Sequence, residues 1–266
     1  MNNGDYFLKK IVVAFVLSVL LSLMVWPIDL VVAGKYWDFP ALPQPYKYGN
    51  VLINRVSEKN GVKPVFFSHW SHRAKYTCRV CHFELDFEFG VNKTEITEAD
   101  NLNGIFCGAC HNGKEAFAHT QKNCDRCHTG TVSLGREKFQ ELAVKMPRGF
   151  FGNKLDWSKA IKWEAITPLY SIFYREEKPL PFKKLLSLKA TWNYVPPAVF
   201  PHEAHTQWLD CANCHPDIFN IRKKTTKNFA MKYILEKKFC GVCHLKVAFP
   251  LDDCKGCHPK MSRKKR

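Results

Sequence analysis

The sequence predicts a small, irregular, loop-rich fold with short helices, built as two tandem modules whose core holds prosthetic groups as well as side chains. Three observations predict it. All twelve cysteines of the 266-residue chain sit in one pattern: Cys78-Arg-Val-Cys81-His82, Cys107-Gly-Ala-Cys110-His111, Cys124-Asp-Arg-Cys127-His128, Cys211-Ala-Asn-Cys214-His215, Cys240-Gly-Val-Cys243-His244 and Cys254-Lys-Gly-Cys257-His258. The six copies form two clusters of three. Within the clusters, helical and strand periodicity is uninformative, as expected where large groups replace side-chain packing.

C-x-x-C-H is the attachment signature of c-type haem, and about 0.02 copies are expected by chance at this composition. Two thiols form thioethers with the vinyl groups of one porphyrin, and the next histidine reaches the iron as proximal ligand. Six disulfides would not require a histidine after every second cysteine. A thioredoxin-like site carries one C-x-x-C, and structural zinc needs such pairs to converge. The pattern therefore implies six covalently bound haem c groups, with proximal ligands His82, His111, His128, His215, His244 and His258. The fold expected is that of a multihaem cytochrome c with a haem-packed core.

The clusters are an internal duplication. Shifted by 133, His69, His72, Cys78, His82, Cys107 and His111 land on His202, His205, Cys211, His215, Cys240 and His244. Phe106 and Gly108 land on Phe239 and Gly241. Register breaks only before the third motif, where Cys107 to Cys124 is 17 residues and Cys240 to Cys254 is 14. The modules are read as residues 67–130 and 200–260.

The remaining segments have separate roles. Residues 1–33 read as a signal peptide: Lys9-Lys10, an uncharged run over 11–26, and Val31-Val32-Ala33 before Gly34, with cleavage after Ala33. An uncleaved anchor is the rival, and membrane contact is expected only in that case. The apolar run is short for a span of about 20 residues, and Pro27 interrupts it. Residues 34–66 form an extension rich in proline and aromatics. Residues 131–199 contain no cysteine or histidine but hold Trp157, Trp163 and Trp192, too aromatic a set for a flexible linker. One short helix near 156–165 is expected there, with extended chain elsewhere draped over haem faces. The basic tail, 261–266, reads as a docking patch for an acidic redox partner or as a solvated terminus.

Forty basic and twenty-four acidic residues give +16. Twelve propionates lower this to about +4, so much of the lysine excess is expected beside propionates. Basic charge alone would suggest nucleic acid. Haem with export points instead to redox proteins as donors and acceptors, with an outer-membrane porin or other cytochromes as further candidates. The expected location is the periplasm or outer surface.

Eleven histidines less six proximal ones leave His69, His72, His119, His202 and His205 as distal candidates for six irons. Four of them lie in Phe67-Ser68-His69-Trp70-Ser71-His72 and Phe200-Pro201-His202-Glu203-Ala204-His205, each six residues before a C-x-x-C-H. This arrangement resembles the small triheme cytochromes of the class III multihaem group, the cytochrome c7-type modules found in extracellular electron-transfer cytochromes. The resemblance implies that His69 pairs with His82, His72 with His111, His202 with His215 and His205 with His244. The family places a further histidine shortly before the second motif, and neither module has one. By elimination His119 is expected to serve the haem of His128. For the haem of His258, Met231 is the candidate: it lies nine residues before Cys240, where module one has Glu98. Lys246, Met261 or an open site are the rivals.

Iron with two protein ligands has no open position, so the expected function is one-electron transfer, with no catalytic residue, and the resemblance implies a setting in respiratory or extracellular electron transport. The alternatives are a multihaem reductase with an open site at the sixth haem, or a subunit of a cytochrome filament.

Overall fold

The computed structural model describes residues 39, 41–221 and 230–262. The expected signal peptide with its cleavage site, and residues 263–266 of the basic tail, lie outside them. Residues from Ala41 on form one unit, and no helix among the described residues is long and apolar enough to cross a membrane.

Each module opens on the same device. Strand β1 (Asn50–Ile53) pairs antiparallel with β2 (Val65–Ser68), Asn50 opposite Ser68 and Ile53 opposite Val65. The chain then passes without a loop into helix α1 (His69–Arg73). In the second module β3 (Leu185–Leu188) pairs with β4 (Ala198–Pro201), which runs directly into helix α6 (His202–Thr206). Apolar β-branched and aromatic residues favour the strand. The hairpin stiffens the residues just before each H-x-x-H, and a helical turn puts its two histidines, three apart, on one side. The remaining helices are α2 (Glu98–Leu102), α3 (Cys124–Cys127), α4 (Arg136–Lys145), α5 (Trp157–Lys162), α7 (Met231–Leu235), α8 (Gly241–His244) and α9 (Cys254–Cys257). Short helical turns also coincide with the C-x-x-C-H motifs.

The connecting segment corrects one expectation. Helix α5 falls where a short helix was expected, but the segment also contains α4, the longest helix described. Phe139 and Ala143 lie one helical turn apart on it, Met146 follows its last residue, and all three are buried. With Leu155, Trp157, Ala160 and Ile166 they pack against Trp70 of the first module and Trp208 of the second. So the segment supplies a side-chain core where extended chain over porphyrin faces was expected.

That core holds the modules side by side. Arg79 N–H donates to the Trp208 carbonyl at 2.8 Å, and Asn213 Nδ2 donates to the His82 carbonyl at 2.8 Å. Tyr48 Oη donates to the Ala248 carbonyl at 2.6 Å. The Arg79 guanidinium pairs with Glu84, with Glu177 of the connecting segment and with Asp210 of the second module.

Candidate haem sites

The histidines share one property. In all eleven, Nδ1 lies 2.6–3.0 Å from a main-chain carbonyl: His69 on Gly49, His72 on Ser68, His82 on Phe87, His111 on Phe117, His119 on His111 and His128 on Lys63. In the second module His202 meets Lys184, His205 Pro201, His215 Phe219, His244 Phe249 and His258 Pro196. A carbonyl only accepts, so Nδ1 carries the hydrogen and Nε2 keeps its lone pair. This is the arrangement of metal-ligating imidazoles, whose second nitrogen is tied to a carbonyl or carboxylate. His119, expected as a ligand only by elimination, has the same anchor.

Two expected pairs meet at ligand distance. The His72 and His111 ring centres are 6.3 Å apart, and those of His205 and His244 are 6.2 Å apart. Imidazoles on opposite sides of one metal, with bonds of about 2.0 Å and about 1.1 Å from Nε2 to ring centre, put their centres about 6.2 Å apart. The phenylalanine of F-x-H-x-x-H sets the orientation. Phe67 meets His69 edge-on at 4.9 Å and stacks on His72 at 4.5 Å. Phe200 repeats this with His202 at 4.9 Å and His205 at 4.2 Å. His82 lies near enough to His69 to act on its charge. Among the described residues no ring contact joins His69 to His82, His202 to His215 or His119 to His128. Met231 opens α7 and does not line the cavity that takes in Cys254, Cys257 and Met261.

That cavity measures about 2020 Å³. Protein interiors hold few voids larger than a water molecule, and a pocket for one drug-sized ligand measures roughly 300–1,000 Å³. Cys78, Cys81, Cys107, Cys214, Cys240, Cys243, Cys254 and Cys257 line it, as do His69, His72, His82, His205 and His244. Space for several large apolar groups thus opens onto the residues that attach and ligate haem. Cys110, Cys124, Cys127 and Cys211 lie outside it, Cys124 and Cys211 exposed, and of the lining cysteines Cys254 is exposed.

The electrostatics agree with the chemistry. Burial pushes the Cys81, Cys240 and Cys243 thiols up to about 12, and Cys107, Cys214 and Cys257 to about 11. Such thiols are poor thiolate nucleophiles or zinc ligands, whereas a thioether needs no ionisation. None of the twelve is in a disulfide, and no three His, Cys, Asp or Glu side chains converge as a metal site among the described residues. Burial also pulls His69, His72 and His244 down to about 4, keeping them in the neutral form that binds metal.

The second motif of each module sits on a constrained turn. Phe106 and Phe239 are left-handed, at φ 50° and 53°. A Cβ on Gly108 would lie 1.9 Å from the Asn101 carbonyl oxygen, and one on Gly241 would lie 1.9 Å from that of Ile234. The helices α2 and α7 press this closely only because glycine follows the first cysteine. The carbonyl anchors escape sequence reasoning, because any residue type supplies one. So does Arg73, whose only signal is that its counterpart in the second module is Thr206.

A family model described as cytochrome c7 and related cytochrome c matches residues 65–129 and 198–264. No curated protein matches the chain. Among solved structures, the C-terminal hexaheme fragment of GSU1996 is 29% identical over 79% of this chain and 96% of that one, with a TM-score of 0.27. The dodecaheme cytochrome c GSU1996 is 25% identical over 79% and 73%, with a TM-score of 0.26. The N-terminal hexaheme fragment is 26% identical over 80% and 99%, with a TM-score of 0.25.

Proposed function

Since the chain belongs to the family of cytochrome c7 and related cytochromes c, with two triheme modules and six covalent haems, we propose that it is an exported one-electron carrier in respiratory or extracellular electron transfer, not an enzyme. The observation that carries this reading is the carbonyl anchor on all eleven histidine Nδ1 atoms, which leaves eleven Nε2 atoms for six irons. Each haem c supplies a one-electron iron couple whose potential follows its axial ligands, burial and nearby charge.

The chain's own contribution is to hold ligands on both faces of each porphyrin. The twelve motif cysteines make the thioethers, and His82, His111, His128, His215, His244 and His258 are the proximal ligands. His69, His72, His202 and His205 oppose them in the pairs given above, His119 serves the haem of His128, and Met231 that of His258. Met261 lines the cavity beside Cys254 and Cys257, but its N–H is held by the His258 carbonyl at 3.0 Å, which ties it to the residue it would have to oppose. Filled coordination leaves no place for a substrate. Donors and acceptors are then redox proteins, other cytochromes or a porin-associated partner.

Spectroelectrochemical titration with spin-state assignment tests the proposal. Six low-spin, one-electron steps are expected. A high-spin haem that turns over nitrite, a sulfur oxyanion or peroxide would make the protein a reductase instead. N-terminal sequencing of the native protein should begin at Gly34, in a fraction outside the cytoplasm. A start at Met1 in the membrane pellet would establish an anchor.

A further inference from the structure

Arg73 closes helix α1, and among the described residues no carboxylate pairs with it. Its guanidinium lies 4.2 Å from the ring centre of Trp208 and 4.7 Å from that of Trp157. Among the described residues it makes no ion pair, and Nε is shut off from water with no acceptor. Trp208 Nε1 is buried in the same condition, whereas Trp157 Nε1 is satisfied by Asn153 Oδ1 at 3.2 Å. Two unpaired donors therefore stack on each other, and both line the large cavity. Cys78 and Cys243 lie near enough to act on the Arg73 charge. A half-buried guanidinium without an anion, its Nε shut off from water, and a buried indole N–H without an acceptor are each costly unless a ligand completes them. Stacking on indole rings offsets part of the charge's cost but gives neither N–H an acceptor.

What is missing is a carboxylate or its equivalent: an anion with two acceptor oxygens that matches the planar fork of a guanidinium. The residues that bring haem into this cavity bring propionates with it. The duplication adds an independent observation. The counterpart of Arg73 is Thr206, and that of Trp208 is the exposed Lys75. The donor pair is therefore no part of the repeated plan and occurs once, where the modules meet.

We propose that Arg73 and Trp208 form a clamp for a haem propionate at the junction between the modules, belonging to the haem held by Cys78 and Cys81 or to that held by Cys240 and Cys243. This deepens the carrier reading and rests on it. The clamp joins α1 of one module to the other module through the bound group. Its positive charge favours the reduced form of the haem it touches, which makes that haem a favoured stop for an electron crossing between modules.

The test uses the intact six-haem protein and its Arg73→Gln, Arg73→Lys and Trp208→Phe variants. Each variant should keep six haem masses and its low-spin spectrum. Arg73→Gln should lower the potential of one haem by about a tenfold change in its oxidised-to-reduced ratio, about 59 mV for a one-electron couple. Arg73→Lys should retain most of the wild-type value. Trp208→Phe, which keeps the ring and loses the N–H, should lower the same potential by less. Magnetic resonance identifies the source: displaced resonances on the haem of His82 assign the Cys78–Cys81 propionate, and those on the haem of His244 assign the other. Six unchanged potentials in Arg73→Gln would overturn the clamp, as would a shift spread evenly over all six. If Arg73→Gln does not assemble, Trp208→Phe decides, and no displaced haem in that variant overturns it. Failure of the carrier reading would look different: high-spin haem or fewer than six haem masses in the unsubstituted protein.

Discussion

The two modules agree in the anchors and turns of their C-x-x-C-H motifs and differ where they touch each other, at one helix cap and in the candidate distal ligand of the third haem. His72 and His111 meet at 6.3 Å, and His205 and His244 at 6.2 Å. His128 is anchored on Lys63 and His258 on Pro196, residues themselves 133 apart. Even the left-handed phenylalanine before the second motif recurs, at φ 50° and 53°. Arg73, Arg79 and Thr97 have no such echo: their counterparts are Thr206, Ala212 and Ala230. Covalent attachment and axial ligation fix atoms to within tenths of an ångström, so both copies kept that geometry. The outer surfaces of a repeat carry no such demand, and there the copies became two halves of one molecule.

The third haem is where the comparison can be broken most visibly. Module one has His119, and module two has a three-residue deletion with no histidine in the equivalent stretch. His119→Ala should convert one haem of six from low spin to high spin, and an unchanged spectrum would remove His119 from the ligand set. Met231→Leu should also produce one high-spin haem, with loss of one high-potential step, because a thioether ligand raises the potential relative to two imidazoles. If Met261→Leu has that effect and Met231→Leu does not, the sixth ligand is Met261.

Arg79 should give the largest change in stability. It and Glu84 are 7% and 6% exposed, and the same guanidinium reaches Glu177 and Asp210. Removing one partner of a buried ion pair leaves an uncompensated charge and costs about 3–5 kcal/mol. Arg79→Met should therefore melt well below the parent while retaining six haem masses. A melting temperature within a degree of the parent would mean the modules are held by haem and apolar packing alone.

Equal effects are expected where the modules agree. Gly108→Ala and Gly241→Ala each force a Cβ against a main-chain oxygen, and overpacking of this kind costs about 1–3 kcal/mol or somewhat more. The two variants should lose stability by similar amounts in thermal melts. A large loss in one and none in the other would show that the two turns do not share their environment in solution.

How much of this was legible beforehand follows from the kind of constraint. Haem attachment needs named residues at fixed spacing, so all six motifs, the duplication and the loop-rich class could be read directly. The carbonyls that anchor the histidines could not, since Gly49, Lys63 and Phe117 serve as well as any residue. Helix α4 is readable by period, with Phe139, Ala143 and Met146 at helical spacing, but the aromatic content of its segment points to extended chain and masks that period. The clamp of Arg73 and Trp208 is invisible in the sequence because its two halves come from different modules and meet only after folding.

The smallest effect sharpens the comparison at a helix end. Helix α2 begins with a capping box: Thr97 Oγ1 accepts from Asp100 N–H at 3.1 Å, and Asp100 Oδ2 accepts from Thr97 N–H at 2.8 Å and from Thr97 Oγ1 at 2.7 Å. Its counterpart α7 has Ala230 as N-cap, with no side-chain cap. Both helices press on the glycine of the second motif, yet only one has its first donors satisfied by a side chain. Thr97→Ala should cost about 1 kcal/mol, and Ala230→Asp should gain about 0.5–1 kcal/mol. The hydrogen bonds from the Thr97 side chain and backbone hold the Asp100 carboxyl below its ordinary 3.8. A depressed folded-state pKa stabilises above the unfolded value and loses its effect as the pH falls through the folded one. The gap between Thr97→Ala and its parent should therefore be full near neutral pH and narrow only in acid below about 3.8, whereas Ala230→Gly should show no such narrowing. Thermal melts at neutral pH and in acid check both arms, and a gap that stays constant into acid would show that Asp100 takes no part in the cap.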